Sequence, residues 1–219
     1  MVIFADDLSD ADRVYLFEQG VRRSVGADEV LLREGDPSTH VQLIISGWVR
    51  VSTMGSDGRE VVLALRGPGD VLGDMVVLKQ GERTASVRSL EPVSFVQWPS
   101  DRFMACLRAR SGIAIALAAA IASRLRDAEA LRVGAASLDV SKRVARYIFE
   151  LARDRGKPSS EGVVVDVPVS QEEIAAHLGV SRRAVVRAMT VLRGRNVVTT
   201  SRMRVVVHRP DVLRNLGQI

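Results

Sequence analysis

Hydrophobic and polar positions change their spacing several times along this chain, and each change predicts a different kind of element. Leu8 to Gly20 has the spacing of a short helix: Ser9 is placed to cap it, Val14, Leu16 and Phe17 are apolar, and Gly20 ends it. From Glu29 to Gln97 the period shortens to runs rich in Val, Ile and Leu. These are Val30–Arg33, Val41–Ile45, Trp48–Thr53, Glu60–Leu65, Ala85–Ser89 and Val93–Trp98. They are divided by Gly35-Asp36-Pro37, Ser46-Gly47, Ser56-Asp57-Gly58 and Gly67-Pro68-Gly69-Asp70. Asp57-Gly58 between two alternating runs predicts a hairpin, because both central turn positions can take positive φ. Many short strands with regular turns predict an antiparallel barrel or roll.

The period then lengthens. Pro99-Ser100-Asp101 opens a short helix to about Ala109, and a long one begins near Ser111. Its apolar stripe is Ile113, Leu117, Ile121, Leu125, Ala128, Leu131, Ala135 and Leu138, with a mean step close to the helical repeat. Ala114 to Ala122 is apolar nearly all round, so it needs cover on two sides. The roll supplies one; a parallel copy of the same helix is the economical second, and burial in a monomeric core is the alternative. Asp139 to Arg153 is a further amphipathic helix with Val144, Ile148 and Leu151 inward, followed by a loop over Gly156–Ser160. Val163–Val165 and Val167–Val169 look like a small strand pair.

Ser170 to Gly194 carries the clearest signal. Ser170 and Glu173 have the spacing of a capping box, Ile174, Ala175 and Leu178 form one apolar face, and Gly179 can stop the helix at positive φ. Ser181 can cap a second helix whose buried face is Val185, Met189 and Leu192. Two short helices around a glycine turn make a helix-turn-helix, whose second helix enters the DNA major groove. Its outward residues include Arg182, Arg183 and Arg187, and a guanidinium can donate two hydrogen bonds to guanine O6 and N7. Ser170, Gln171 and Ser181 lie at the two helix starts and join the DNA-contact set. Val197–Thr200 and Arg204–His208 then alternate as a hairpin, a wing whose Arg202 and Arg204 could reach phosphates.

Charge agrees with that placement. Residues 140–219 hold 15 Lys/Arg against 7 Asp/Glu, whereas residues 1–139 hold 16 against 19, so the basic character sits with the reader. One cysteine, Cys106, excludes an internal disulfide and a thiolate metal cluster, and reads as a small core residue. His40, His177 and His208 have no partners at metal-ligand spacing, and no nucleophile–base pair or carboxylate pair points to an enzyme, so no catalytic or metal residues are assigned. No apolar run reaches the roughly 20 residues of a membrane span, and the N-terminus lacks a signal pattern, which predicts a cytoplasmic protein without a membrane partner.

One connection in the roll carries chemistry. Gly73 and Asp74 open a short helical turn and Arg83-Thr84-Ala85 lead into the next strand. Backbone amides, the Arg83 fork and the Thr84 hydroxyl can hold a phosphate while Asp74 accepts from a sugar hydroxyl. A surface salt bridge at Arg83 is the plainer reading of the same residues.

A roll with this segment, a long helix and a C-terminal winged reader resembles the cAMP receptor protein/fumarate-nitrate regulator (CRP/FNR) family. The carriers are Gly35-Asp36, Gly47, Gly69-Asp70, the Gly73-to-Ala85 segment, Leu138-Asp139-Val140 and Ser181-Arg182, and the resemblance covers about Leu8 to Val212. The fold class implied is α+β: an N-terminal antiparallel β-roll of the cyclic-nucleotide-binding kind over 1–110, a long dimerisation helix over 111–138, and a winged helix-turn-helix DNA-binding domain over 139–219. The resemblance implies a homodimer on palindromic double-stranded DNA, RNA polymerase as partner if it activates, and no required cofactor beyond an effector such as cAMP, cGMP or cyclic di-GMP. By that likeness the effector set is Gly73, Asp74, Met75, Arg83 and Thr84 with Ala128 and Glu129 of the long helix. Three positions depart from the family. Asp74 replaces a glutamate, Ala128 and Glu129 replace an adenine-recognising hydroxyl pair, and Arg183 replaces a glutamate that could accept from cytosine. Iron–sulfur members are excluded by the single cysteine. The alternatives are a regulator of the same family that needs no ligand, and a nucleotide-binding module acting on a protein partner.

Overall fold

The structure, a computed structural model, describes residues 2–37, 39–58, 60–79, 81–168, 170–201 and 204–217. It divides into two compact units, Val2–Arg124 and Leu125–Ile219.

In the first unit, eight strands form two four-stranded antiparallel sheets. One holds β1 (Val21–Val25), β3 (His40–Ser46), β6 (Val71–Leu72) and β8 (Val93–Pro99) in the order β1-β8-β3-β6. The other holds β2 (Val30–Leu32), β4 (Val49–Met54), β5 (Glu60–Arg66) and β7 (Ser86–Ser89) in the order β2-β7-β4-β5. All six strands expected between Val30 and Trp98 are present. Two more appear: β1 is exposed over most of its length and carries no alternation, and β6 has two residues. Both exist because of their ladders to β8 and β3.

The pleat sorts side chains between two cores. Val93 and Phe95 of β8 and Ile44 of β3 point between the sheets, where they meet Leu32, Val49, Leu72 and Val87. Val96 and Trp98, with Val41 and Leu43, point the other way, toward Leu16 of α1 (Asp10–Glu18) and Phe103, Cys106 and Leu107 of α3 (Ser100–Ala109). Cys106 is therefore a core residue, as its type suggested. Ser9 caps α1 by accepting from the Asp12 amide, and Trp98 Nε1 donates to the Leu16 carbonyl at 2.8 Å. The β4–β5 hairpin forms at the expected Asp-Gly, but only Gly58 takes positive φ; the Gly58 amide closes a turn onto Gly55 O at 2.9 Å.

The long helix α4 (Ser111–Ser137) buries Ile113, Ala116, Leu117 and Ala120 in the second core. Its opposite stripe is open, with Ile115 68% and Leu125 61% exposed and Ala118 and Ala122 between them also exposed. The single expected stripe thus splits: Ile113 and Leu117 serve the roll, while Leu125, Ala128 and Ala135 are exposed in the single chain.

In the second unit, Asp139 caps α5 (Val140–Arg155) by accepting from the Lys142 amide, and Val144 and Ile148 are buried. A four-stranded antiparallel sheet runs in the order β11-β12-β10-β9, from β9 (Lys157–Ser159), β10 (Gly162–Val165), β11 (Val198–Ser201) and β12 (Arg204–Val207). The expected pair of Val163–Val165 with Val167–Val169 does not form. Strand β10 takes β9, inside the expected loop, and β12 as neighbours; Val167 is buried without being a strand, Pro168 has no amide to donate, and Val169 lies outside the described residues. The chain ends in α8 (Pro210–Gly217), with proline at its first position and Asp211 in its first turn.

Candidate nucleic-acid interface and effector site

The reader forms as its local sequence dictates. Helix α6 (Gln171–Leu178) begins with a complete capping box: Ser170 Oγ accepts from the Glu173 amide at 3.1 Å and Glu173 Oε2 accepts from the Ser170 amide at 2.7 Å. It ends at Gly179 with φ 61° and ψ 41°, a left-handed conformation with no Cβ to oppose it. The guanidinium of Arg143 on α5 donates to the Leu178 carbonyl, tying the turn to the helix behind it. Ser181 then caps α7 (Arg182–Gly194) by accepting from the Ala184 amide, and Val185, Ala188, Met189 and Leu192 are buried. That leaves Arg182, Arg183 and Arg187 exposed on the first two turns, as a groove-reading helix requires. Ser170 and Ser181 are exposed, Gln171 is half-buried, and Arg204 lies 3.7 Å from Asp166 on an exposed part of the wing. Arg202 falls outside the described residues. Two contacts were invisible in the linear pattern: Arg193 donates to Thr190 Oγ1 on its own helix and to Thr200 Oγ1 on β11, joining reader helix and wing.

In the roll, Gly73 stands at φ 76° just before the six-residue helix α2 (Asp74–Lys79). Arg83 is 4% exposed, and its two terminal nitrogens donate to Gly73 O at 3.1 Å and His40 O at 2.5 Å. Among the described residues no carboxylate lies at ion-pair distance from it. Burial pulls its pKa down, against the pull upward of Asp74 and Asp36. A cavity of about 390 Å³ opens beside Arg83, lined by residues 30–33, Asp36, Pro37, Thr39 and His40. Gly73 and Arg83 therefore come together as expected. Asp74 instead accepts from Arg124 Nη1 at 3.0 Å through both oxygens, while Arg124 Nη2 donates to Val71 O at 2.7 Å. Met75 and Thr84 are exposed, as are Ala128 and Glu129 further along α4. Arg124 was missed in the sequence; the available signal was the first cation after the apolar stretch of α4, one turn before Ala128.

Two family models match separate parts of the chain. The cyclic nucleotide-binding domain model matches residues 22–110, and the Crp-like helix-turn-helix domain model matches residues 142–216. The cyclic AMP receptor protein of Thermus thermophilus is 30% identical over 197 residues, covering 90% of this chain and 88% of that protein. This chain belongs to the CRP/FNR family of transcription regulators. Another family member, a CRP-like cAMP-activated global transcriptional regulator of Mycobacterium tuberculosis, is 32% identical over 156 residues, 71% of this chain and 70% of that protein. Among solved CRP/FNR folds, FixK2 from Bradyrhizobium japonicum superposes with a TM-score of 0.77 at 24% identity, covering 90% of this chain and 96% of that one. The catabolite activator protein of Thermus thermophilus gives 0.55 at 28% identity, with 98% of each chain covered. As a CRP/FNR member with a helix-turn-helix, the protein is a DNA-binding regulator and not an enzyme. No single described helix is long and apolar enough to cross a membrane.

Proposed function

We propose that this protein is a homodimeric transcription regulator of the cytoplasm that reads a palindromic operator and is gated by a phosphate-bearing effector, a cyclic nucleotide, held in the roll. The observation that carries the gating is Arg83. Arg83 is 4% exposed, donates to two neutral carbonyls and, among the described residues, has no carboxylate at ion-pair distance, so Asp74 and Asp36 offset its charge only from further away and an entering anion is favoured. Gly73 and Arg83 would hold the phosphate, with Thr84 as a hydroxyl donor at the rim. Relatives named as a cAMP-activated regulator and as a cyclic AMP receptor protein support a cyclic nucleotide, with cGMP and cyclic di-GMP as the alternatives. Arg182, Arg183 and Arg187 would meet base edges, while Ser170, Gln171, Ser181, Arg202 and Arg204 meet the phosphates. The exposed stripe Ile115, Ala118, Ala122 and Leu125 repeats at heptad spacing and suits a parallel copy of α4. RNA polymerase is the partner if the protein activates.

Titration calorimetry with cAMP, cGMP and cyclic di-GMP at fixed salt tests the effector. Micromolar or tighter binding by one of them, lost in Arg83→Ala, supports gating. Absence of heat from all three, with undiminished DNA binding, supports a second reading, a regulator competent without ligand. Asp74 favours that reading, because Arg124 already occupies both of its oxygens where a sugar hydroxyl would bind. Sedimentation of Leu125→Glu tests the dimer, which should dissociate.

A further inference from the structure

The outward face of α7 is not uniformly basic. Val186 lies one helical turn after Arg182 and one before Thr190, turned away from the buried Ala188 and Leu192, and it is only half-buried. Thr190 is exposed, yet its hydroxyl is spent: Oγ1 donates to Val186 O at 2.9 Å and accepts from Arg193 at 3.1 Å. A threonine bound back to the carbonyl four residues earlier has its χ1 held, so what it offers outward is its methyl group. Valine is also a weaker helix former than alanine or lysine at a solvent-facing position, so helix propensity does not favour it here.

We propose that Val186 and the Thr190 methyl form an apolar patch that packs against the 5-methyl group of a thymine in the major groove. The patch is flanked by the exposed Arg182, Arg183 and Arg187, whose charge draws that face onto DNA. Thymine is the base that displays a methyl group in that groove, so an apolar contact distinguishes it from the other three without a hydrogen bond. The inference rests on α7 being the groove-reading helix, and it adds a base preference that the arginines cannot supply.

The test starts with the full-length protein and a randomised duplex library, from which preferred sites are selected. Each thymine of the selected half-site is then replaced by deoxyuridine, which removes only the methyl group, and binding is followed by fluorescence anisotropy at fixed salt. One thymine per half-site should lose affinity about fourfold on replacement, the worth of one buried methyl. That factor should vanish in Val186→Ala and shrink in Thr190→Ser, which keeps the hydroxyl and both of its hydrogen bonds. A selected site indifferent to deoxyuridine everywhere, or a deoxyuridine effect unchanged in both variants, would overturn the proposal while leaving DNA reading intact. A library from which nothing is enriched would remove sequence reading itself and this contact with it.

Discussion

Two glycines at nearly the same positive φ face opposite surroundings, and substituting each by alanine should separate backbone strain from collision. Gly179 has φ 61° and nothing within 4 Å of where a Cβ would stand. Gly179→Ala therefore carries only the left-handed penalty, about 1 kcal/mol. Gly73 has φ 76°, but its Cβ would collide with the Arg83 guanidinium and lie 3.3 Å from His40 O. Arg83 must move and give up at least its bond to Gly73 O, and a charged donor's bond adds about 1.5–3 kcal/mol, for a total of about 2.5–4 kcal/mol. With a urea slope of about 2 kcal/mol per molar, the midpoint shifts are roughly 0.5 M and 1.2–2 M. Both tryptophans, Trp48 and Trp98, are buried in the roll, so tryptophan fluorescence reports Gly73→Ala, and far-UV circular dichroism reports Gly179→Ala. The decisive measurement places Gly73→Ala in an Arg83→Ala background, where its cost should drop to about 1 kcal/mol because the colliding group is gone. A cost that stays at about 2.5–4 kcal/mol in that background would refute the collision argument.

Other outcomes follow from single contacts. Arg182→Ala should relax preference at one position of the half-site and cost about 1–3 kcal/mol there; a uniform loss across unrelated sequences, measured by competition binding, would make Arg182 a phosphate contact. Arg124→Met leaves the Asp74 carboxylate, whose side chain is 3% exposed, without its cation, and should cost about 3–5 kcal/mol in urea unfolding, whereas Asp74→Leu with Arg124→Met should recover most of it. His40 has its pKa lowered from 6.5 by burial and then by Arg83 and Arg23. The folded state thus disfavours the charged imidazole, so its stabilising contribution is complete above about pH 6.5 and is lost as pH falls toward the depressed value. The urea midpoint should decline through that window, and His40→Gln should flatten the decline.

What the sequence determined by itself was a set of helix caps and the stop between the two reader helices. The Ser9, Ser170 and Ser181 caps, the Glu173 return bond and the Gly179 stop each join residues no more than four apart, so their geometry follows from residue type and spacing. The arginines of α7 were readable for the same reason, since the buried Val185, Met189 and Leu192 force them outward. The roll was legible as strands and turns, but β1 was not, because it pairs with residues 93–97, far along the chain. The second unit shows the same limit: Val167–Val169 has strand composition, yet β10 pairs with β12, about 40 residues away. Tertiary structure alone decided the polar contacts of the candidate effector site. Arg83 meets the carbonyl of His40 across 43 residues, and Asp74 meets Arg124 across 50. A long flexible side chain has many possible partners at such separations, and only the packed backbone fixes which carbonyl or carboxylate stands within hydrogen-bonding reach of it.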